Sequence, residues 1–283
     1  MLQQRWLPYL LLAPAILFLM LVLALPIVQA VLLSFQSPGG SFGLESFRRM
    51  VIDIHFQGAV RNTFLLTALV VPLQVTLAIA IALLVNTRLP GTATFLYVCA
   101  IPLGISDLAA GLVWLSIFSE RGYLNTILHA IGLIDRPVPY LSYEHPAWLF
   151  ASVVLAEVWR ATAIVMVILV AGLQLIPRDY LETADVFGAG GWTKLRMVIL
   201  PLLKPSIQAA LIIRTILAFQ VFAVVLALTG RIIPVLAGES YFWYALYRNA
   251  HVASAYAVVI MALSATLTGF YLRLLRVREE QMG

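Results

Sequence analysis

Four ionisable side chains, Asp107, Glu157, Arg160 and Arg214, stand inside stretches of sequence that are otherwise almost free of charge. In hydrocarbon each such group costs about 2.5–3.5 kcal/mol or more unless it is paired or hydrated, so all four must face protein or a water-filled path. Glu157 and Arg160 are three residues apart, which puts them on one face of a helix, and Asp107, Gly111 and Trp114 share a face by the same spacing. Two chemistries are open to this set. In one, Asp107, Trp114, Glu157 and Arg160 line a polar pocket in which carboxylates accept hydrogen bonds and Trp114 or Trp159 stacks on a ring. In the other, Glu157 with Arg160 and Asp107 with Arg214 neutralise each other and hold helices in register. The readings weigh equally for Glu157 and Asp107, while Arg160 and Arg214 lean towards the structural one. Gln74 and Gln220 are weaker pocket candidates, since a lone membrane glutamine more often bonds helix to helix.

A second stretch could do different chemistry. Residues 181–205 read LETADVFGAGGWTKLRMVILPLLKP, and Gly188, Gly190, Gly191, Thr193 and Lys194 suggest a phosphate cradle. A phosphate loop needs Gly, four residues, then Gly-Lys-Ser/Thr, between a strand and a helix. Here Lys194 follows Thr193 and precedes Leu195, so the spacing excludes it. With one cysteine, four histidines and no HExxH-like spacing, no metal ligand set is expected. No paired nucleophile and base points to catalysis.

The elements that position these residues follow from hydropathy. Only 11% of the 283 residues are charged and 62% are hydrophobic, whereas a soluble domain carries about a quarter charged. Six apolar segments, at about 6–35, 63–86, 92–118, 147–173, 204–229 and 252–275, are each long enough to cross a bilayer. The chain reads as an all-α membrane protein, a single domain over 1–283. The net charge of +5 is scattered singly and in pairs, which fits membrane topology and not nucleic acid. On one side fall Arg5, Arg88, Arg178, Lys194, Arg196, Lys204, Arg273, Arg276 and Arg278; on the other fall Arg48, Arg49, Arg61, Arg121, Arg136, Arg231 and Arg248. The excess, and above all the terminal LRLLRVREE run, places both termini and the 181–205 island in the cytoplasm. The first segment resembles a signal peptide at its start and at Ala30, but its apolar run is too long for one, so a retained helix is expected, bent at Pro8, Pro14 and Pro26.

Within the island, Pro177 opens a short helix, YLETADVF. Tyr180, Ala184 and Phe187 lie on one face, Glu182 and Asp185 on another, and the glycines end it. A second stretch, WTKLRMVILPLL, has helical spacing and a bend at Pro201. Two short helices around a glycine turn, lying along the inner membrane face, are predicted. They could dock into a partner's groove, where small residues allow close approach, or rest on lipid headgroups.

The order Glu182-Thr183-Ala184, then Gly188 six positions after the glutamate, nine residues, and Val198-Ile199-Leu200-Pro201 resembles the Glu-Ala-Ala signature of permease subunits of binding-protein-dependent ABC importers. Its context is similar too, with AGLQLIPRDYLETAD before it, LPLLKPS after it and FRRMVIDIHFQGAVRNT ahead of the second segment. The resemblance covers nearly all of the chain and is closest to the sugar-importing, maltose-permease-like branch. Thr183 replaces the usual second alanine, Phe187 an aspartate and Val198 an isoleucine; only Phe187 removes a charge.

The resemblance implies the type I importer permease fold, with six transmembrane helices and a cytoplasmic coupling helix (loop about 177–203) between helices 4 and 5. Glu182 would contact the ATPase, Ala184 and Gly188 would allow close approach, Pro201 would set the bend into the fifth helix, and Thr183 and Leu200 complete the motif. It also implies a second homologous permease, two cytoplasmic ATPase subunits that bind ATP and Mg, an extracytoplasmic solute-binding protein, and a bacterial or archaeal inner membrane. The expected solute is a disaccharide or similar small sugar, because a carboxylate such as Glu157 can accept hydrogen bonds from its hydroxyls. A phosphorylated polyol attracted by Arg160 or Arg214 is the alternative within this class. Outside it stands an ion-coupled carrier using Asp107 and Glu157 as proton sites.

Overall fold

The computed structural model describes residues 7–37, 39–87 and 90–274, so Arg5, Arg88, Arg276 and Arg278 of the charge count lie outside the described residues. The described chain is helical throughout, with a single antiparallel bridge, Gln36 to Phe42, between helices. Among the described residues, five helices are long and apolar enough to cross a membrane, and a pair bent by 105° passes the same test when taken together.

The first span joins α1 (Leu7–Leu19) to α2 (Leu25–Phe35) through a π-helical turn, Met20–Ala24. Leu25 N–H donates five residues back, to the Met20 carbonyl. The shift falls next to Pro26, which has no N–H with which to continue the ordinary ladder. None of this span's apolar window is buried. A short amphipathic helix, α3 (Glu45–Ile52), follows and buries Ser46 and Met50.

α4 (Phe56–Asn86) buries Ala59, Thr63, Leu66, Thr67, Val70, Val71, Gln74, Ala78 and Ala82, a stripe at helical spacing. The segment at 92–118, expected as one span, is broken into α5 (Thr92–Ala100), a 3-10 turn (Ile101–Gly104) and α6 (Asp107–Phe118), with a bend of 105°. The cause is local. Pro102 and Gly104 disfavour a continuing helix, and Ser106 Oγ accepts from Ala109 N–H at 3.2 Å, capping a new one. α7 (Tyr123–Ala130) is followed by a loop ordered by buried Asn125, whose amide donates to the Val138 carbonyl at 3.0 Å while its oxygen accepts from Val138 N–H at 2.9 Å.

α8 (Pro146–Gln174) is the most buried span. Beyond it come α9 (Arg178–Val186) and α10 (Gly191–Lys194), which runs through a second π turn, Leu195–Ile199, into α11 (Leu200–Phe219). The island's second stretch is therefore not a separate interfacial helix. It is the start of the fifth span, Gly191–Phe219, and Leu200 N–H again bonds five residues back, to Leu195, just ahead of Pro201. That span also ends earlier than hydropathy suggests, at Phe219, and residues 223–229 form a distinct helix, α12 (Ala223–Thr229). α13 (Leu236–Ala245) and α14 (Ala250–Leu274) complete the chain.

The described residues divide into two compact units. One comprises residues up to 57 and 239–262. Within it Asp53 accepts from the Trp243 indole N–H and from His55 N–H, both at 2.7 Å, the Phe56 and Tyr256 rings meet edge to face, and His251 contacts the Leu33 carbonyl. The other comprises 58–238 and residues from 263 onward. Its core has two clusters. Leu149, Val153, Ala156, Val224, Val225 and Leu228 anchor one, and Val165, Met166, Leu169, Leu173 and Leu203 the other. Glycines set the closest approaches. A Cβ on Gly111 of α6 would lie 2.7 Å from Ala227 Cβ and 3.1 Å from Val224 Cα of α12, and one on Gly172 of α8 would collide with Ser206 of α11.

Candidate functional site

The four charges of the spans meet in the larger unit, with one of the two pairs the sequence suggests present and the other replaced. Arg160 on α8 donates to Asp107 at 2.7 Å and to Glu157 Oε2 at 3.3 Å. Arg214 on α11 donates to the same Glu157 oxygen at 2.9 Å. Arg214 therefore pairs with Glu157 and Asp107 with Arg160, giving a chain Asp107–Arg160–Glu157–Arg214 across α6, α8 and α11. The expected Glu157 to Arg160 contact is present within it, while the Asp107 to Arg214 pairing is corrected. The helix register explains this: Asp107 is the first residue of α6 and sits at its mouth, with its side chain half exposed, whereas Arg214 is 1% exposed.

Gln74 of α4 joins this chain at its buried end. Its amide nitrogen donates to the Glu157 backbone carbonyl at 2.7 Å, and its oxygen accepts from Arg214 Nε. Gln74 is fully buried and acts as helix-to-helix glue. Gln220, by contrast, is exposed at the end of α11. The side chains thus grade from half-exposed Asp107, through mostly buried Arg160, to the fully buried pair Glu157–Arg214.

Trp114 lies two turns along α6 from Asp107, packed against the cluster that holds Phe118. Its ring stacks on Phe118 at 5.0 Å and meets Trp159 edge to face at 5.9 Å, and its buried indole nitrogen has no hydrogen-bond partner. α6 and α8 thus carry a half-exposed carboxylate paired with a guanidinium, Asp107 and Arg160, and an aromatic pair, Trp114 and Trp159. Such a set can accept hydrogen bonds from hydroxyls and cover an apolar ring face.

The island forms a second site. α9 ends in a Schellman motif: Ala189 N–H donates to Ala184 O, and Gly188 N–H to Asp185 O, both at 2.9 Å. Gly188 has φ +73°, and a Cβ there would meet nothing within 4 Å, so within this chain the glycine is needed for its left-handed backbone. Lys194 Nζ closes the turn onto Asp185 Oδ1 at 2.5 Å. Ala184 is buried, while Glu182, Thr183, Val186 and Phe187 are exposed, Phe187 by 84%. Glu182 and Arg178 also border a cavity of about 630 Å³ with the ends of α4 and α8. Leu200 and Pro201 lie in the fifth span beyond the π turn.

Two residues escape the sequence reading. Glu239, between the apolar segments at 204–229 and 252–275, is fully buried on α13. Thr67 is buried on α4 with its hydroxyl unpartnered, and a lone threonine in an apolar helix carries no sequence signal.

No family model matches the chain. It is 34% identical to the sulfoquinovosyl glycerol transport system permease protein SmoG of Agrobacterium fabrum, over 97% of this chain and 92% of that protein. It is 34% identical to the trehalose transport system permease protein SugA of Mycobacterium tuberculosis, covering 80% and 74% of the two chains. It is 31% identical to the trehalose/maltose transport system permease protein MalF of Thermococcus litoralis, covering 78% and 76%. Among solved structures, a chain of a bacterial ABC transporter involved in importing the acidic polysaccharide alginate superposes with a TM-score of 0.82 at 22% identity, covering 97% of this chain and 96% of that one. That likeness shows the fold.

Proposed function

Because this chain belongs to the permease proteins of sugar ABC transport systems, we propose that it forms half of the path by which an ATP-driven importer takes up an uncharged small sugar, of disaccharide size. The observation that supports the solute class is the composition of the charged chain. Two acidic and two basic side chains compensate one another, and the one placed towards water is the Asp107 carboxylate. A carboxylate accepts hydrogen bonds from hydroxyls, and Trp114 and Trp159, on the same two helices as Asp107 and Arg160, offer a ring face. A phosphorylated polyol would need a free guanidinium fork, and both arginines are already engaged with carboxylates.

ATP and Mg belong to two separate cytoplasmic ATPases, a binding protein delivers the sugar from outside, and a second, homologous permease completes the path. Both termini and α9 face the cytoplasm, where Glu182 makes the polar contact with an ATPase and Thr183, Ala184 and Gly188 shape the docking surface. Movement of α9 passes into the fifth span through α10, and so through Leu200 and Pro201.

Uptake of labelled trehalose or maltose into proteoliposomes tests this reading. The four-subunit transporter with binding protein should accumulate sugar only with ATP inside the ATPase compartment. In that assay Asp107→Asn should raise the KM for sugar about tenfold, the size of a lost hydrogen bond to a charged group. Uptake by the chain alone in response to a proton gradient, or an unchanged KM in Asp107→Asn, would count against it.

A further inference from the structure

The Glu157–Arg214 pair leaves some of its polar atoms unused. Glu157 Oε2 takes both arginines and Arg214 Nε bonds Gln74, but Glu157 Oε1 and Arg214 Nη1 are buried without a partner. So is Thr67 Oγ1 on α4. These three residues line one small cavity of about 10 Å³, whose remaining walls are Leu66, Val70, Ala218 and Val221. Thr67 is 8% exposed, and Glu157 and Arg214 are each 1% exposed. A buried polar atom left unpaired costs about 1–3 kcal/mol, and more when it is charged.

The chemistry of the three atoms restricts what can satisfy them. Oε1 of a carboxylate only accepts, so its partner must donate. Nη1 of a guanidinium only donates, so the same partner must accept. A metal cation is opposed by Arg214 and an anion by Glu157. The volume is that of about one water-sized probe, and a buried water typically makes about three hydrogen bonds. We infer that Thr67, Glu157 and Arg214 form a binding site for one internal water, which donates to Glu157 Oε1, accepts from Arg214 Nη1 and bonds the Thr67 hydroxyl.

This site gives α4 a second hold on the ion pair. Thr67 and Gln74 lie seven residues apart, two helical turns along one face. Gln74 grips Glu157 and Arg214 directly, and Thr67 grips the same two side chains through the water.

A map of the assembled transporter, resolved finely enough to show ordered water, tests the site. The wild type should have a density peak within hydrogen-bonding distance of all three atoms. Thr67→Ser, which keeps the hydroxyl, should retain the peak and the melting temperature. Thr67→Val, of the same shape, should lose the peak and melt lower than Thr67→Ser. No peak in the wild type, a peak and melting temperature in Thr67→Val equal to the wild type, or anomalous scattering at the position after exchange into rubidium or bromide salts would overturn the inference.

Discussion

Removing Arg214 strands the Glu157 carboxylate in a dry interior with only Arg160 to face it. Breaking one side of a buried pair costs about 3–5 kcal/mol, whereas replacing both partners by apolar groups is often neutral. Arg214→Met should therefore lower the melting temperature of the assembled transporter sharply, and Glu157→Leu/Arg214→Met should recover most of the loss; a double variant no better than the single one contradicts the pairing. Glu182 predicts a different outcome, because it is exposed on α9. Glu182→Lys should leave stability unchanged and abolish stimulated ATP hydrolysis by the assembled complex, and unaltered stimulation would remove Glu182 from the coupling contact. At this scale the sequence was informative about which residues matter and silent about partners. The three-residue spacing of Glu157 and Arg160 is visible in one helix, but whether Arg214 reaches Glu157 or Asp107 depends on how α11 packs on α8, which no local pattern encodes. Thr67 was invisible because its role exists only once α4, α8 and α11 have met.

Gly111 reports on packing between elements, since α6 and α12 approach so closely there that a methyl group has no room. Gly111→Ala should destabilise the protein by about 1–3 kcal/mol, the usual cost of overpacking, and Ala227→Gly in the same chain should restore part of it, as read by thermal unfolding. Gly188 differs in mechanism: Gly188→Ala should loosen the end of α9 through its positive φ alone, and Gly188→Asn should be milder, because asparagine tolerates the left-handed region. Hydropathy located all six apolar segments, yet it misdrew two. In the third, the signals for a break were present in the order Pro102, Gly104, Ser106, Asp107, a helix stop followed by a cap, but a window average counts apolar residues and ignores direction. In the fifth, Lys194, Arg196 and Lys204 delayed the apparent start, although long basic side chains at a helix end can extend towards water while the helix continues. Pro201 was read as a bend, and the π turn before it, like the one before Pro26, shows how the ladder shifts by one residue and stays helical.

For the whole molecule, the family fixes a role that one chain cannot perform alone, and topology can be checked directly. Cys99 is the single cysteine, so a Cys99→Ser/Gly190→Cys chain carries one thiol, in the turn after α9. A membrane-impermeant maleimide should label it only from the cytoplasmic side; labelling from outside intact cells would invert the orientation. The compensated chain from Asp107 to Arg214 has an electrical consequence. Carrying one elementary charge through 100 mV takes about 2.3 kcal/mol. Two acids and two bases linked by ion pairs and moving as a group carry no gating charge, so the membrane potential does no work on them whichever way the path faces. Sugar uptake driven by ATP should then run at the same rate in proteoliposomes clamped at zero and at strongly negative potential, leaving the transport cycle indifferent to the energised state of the membrane it crosses.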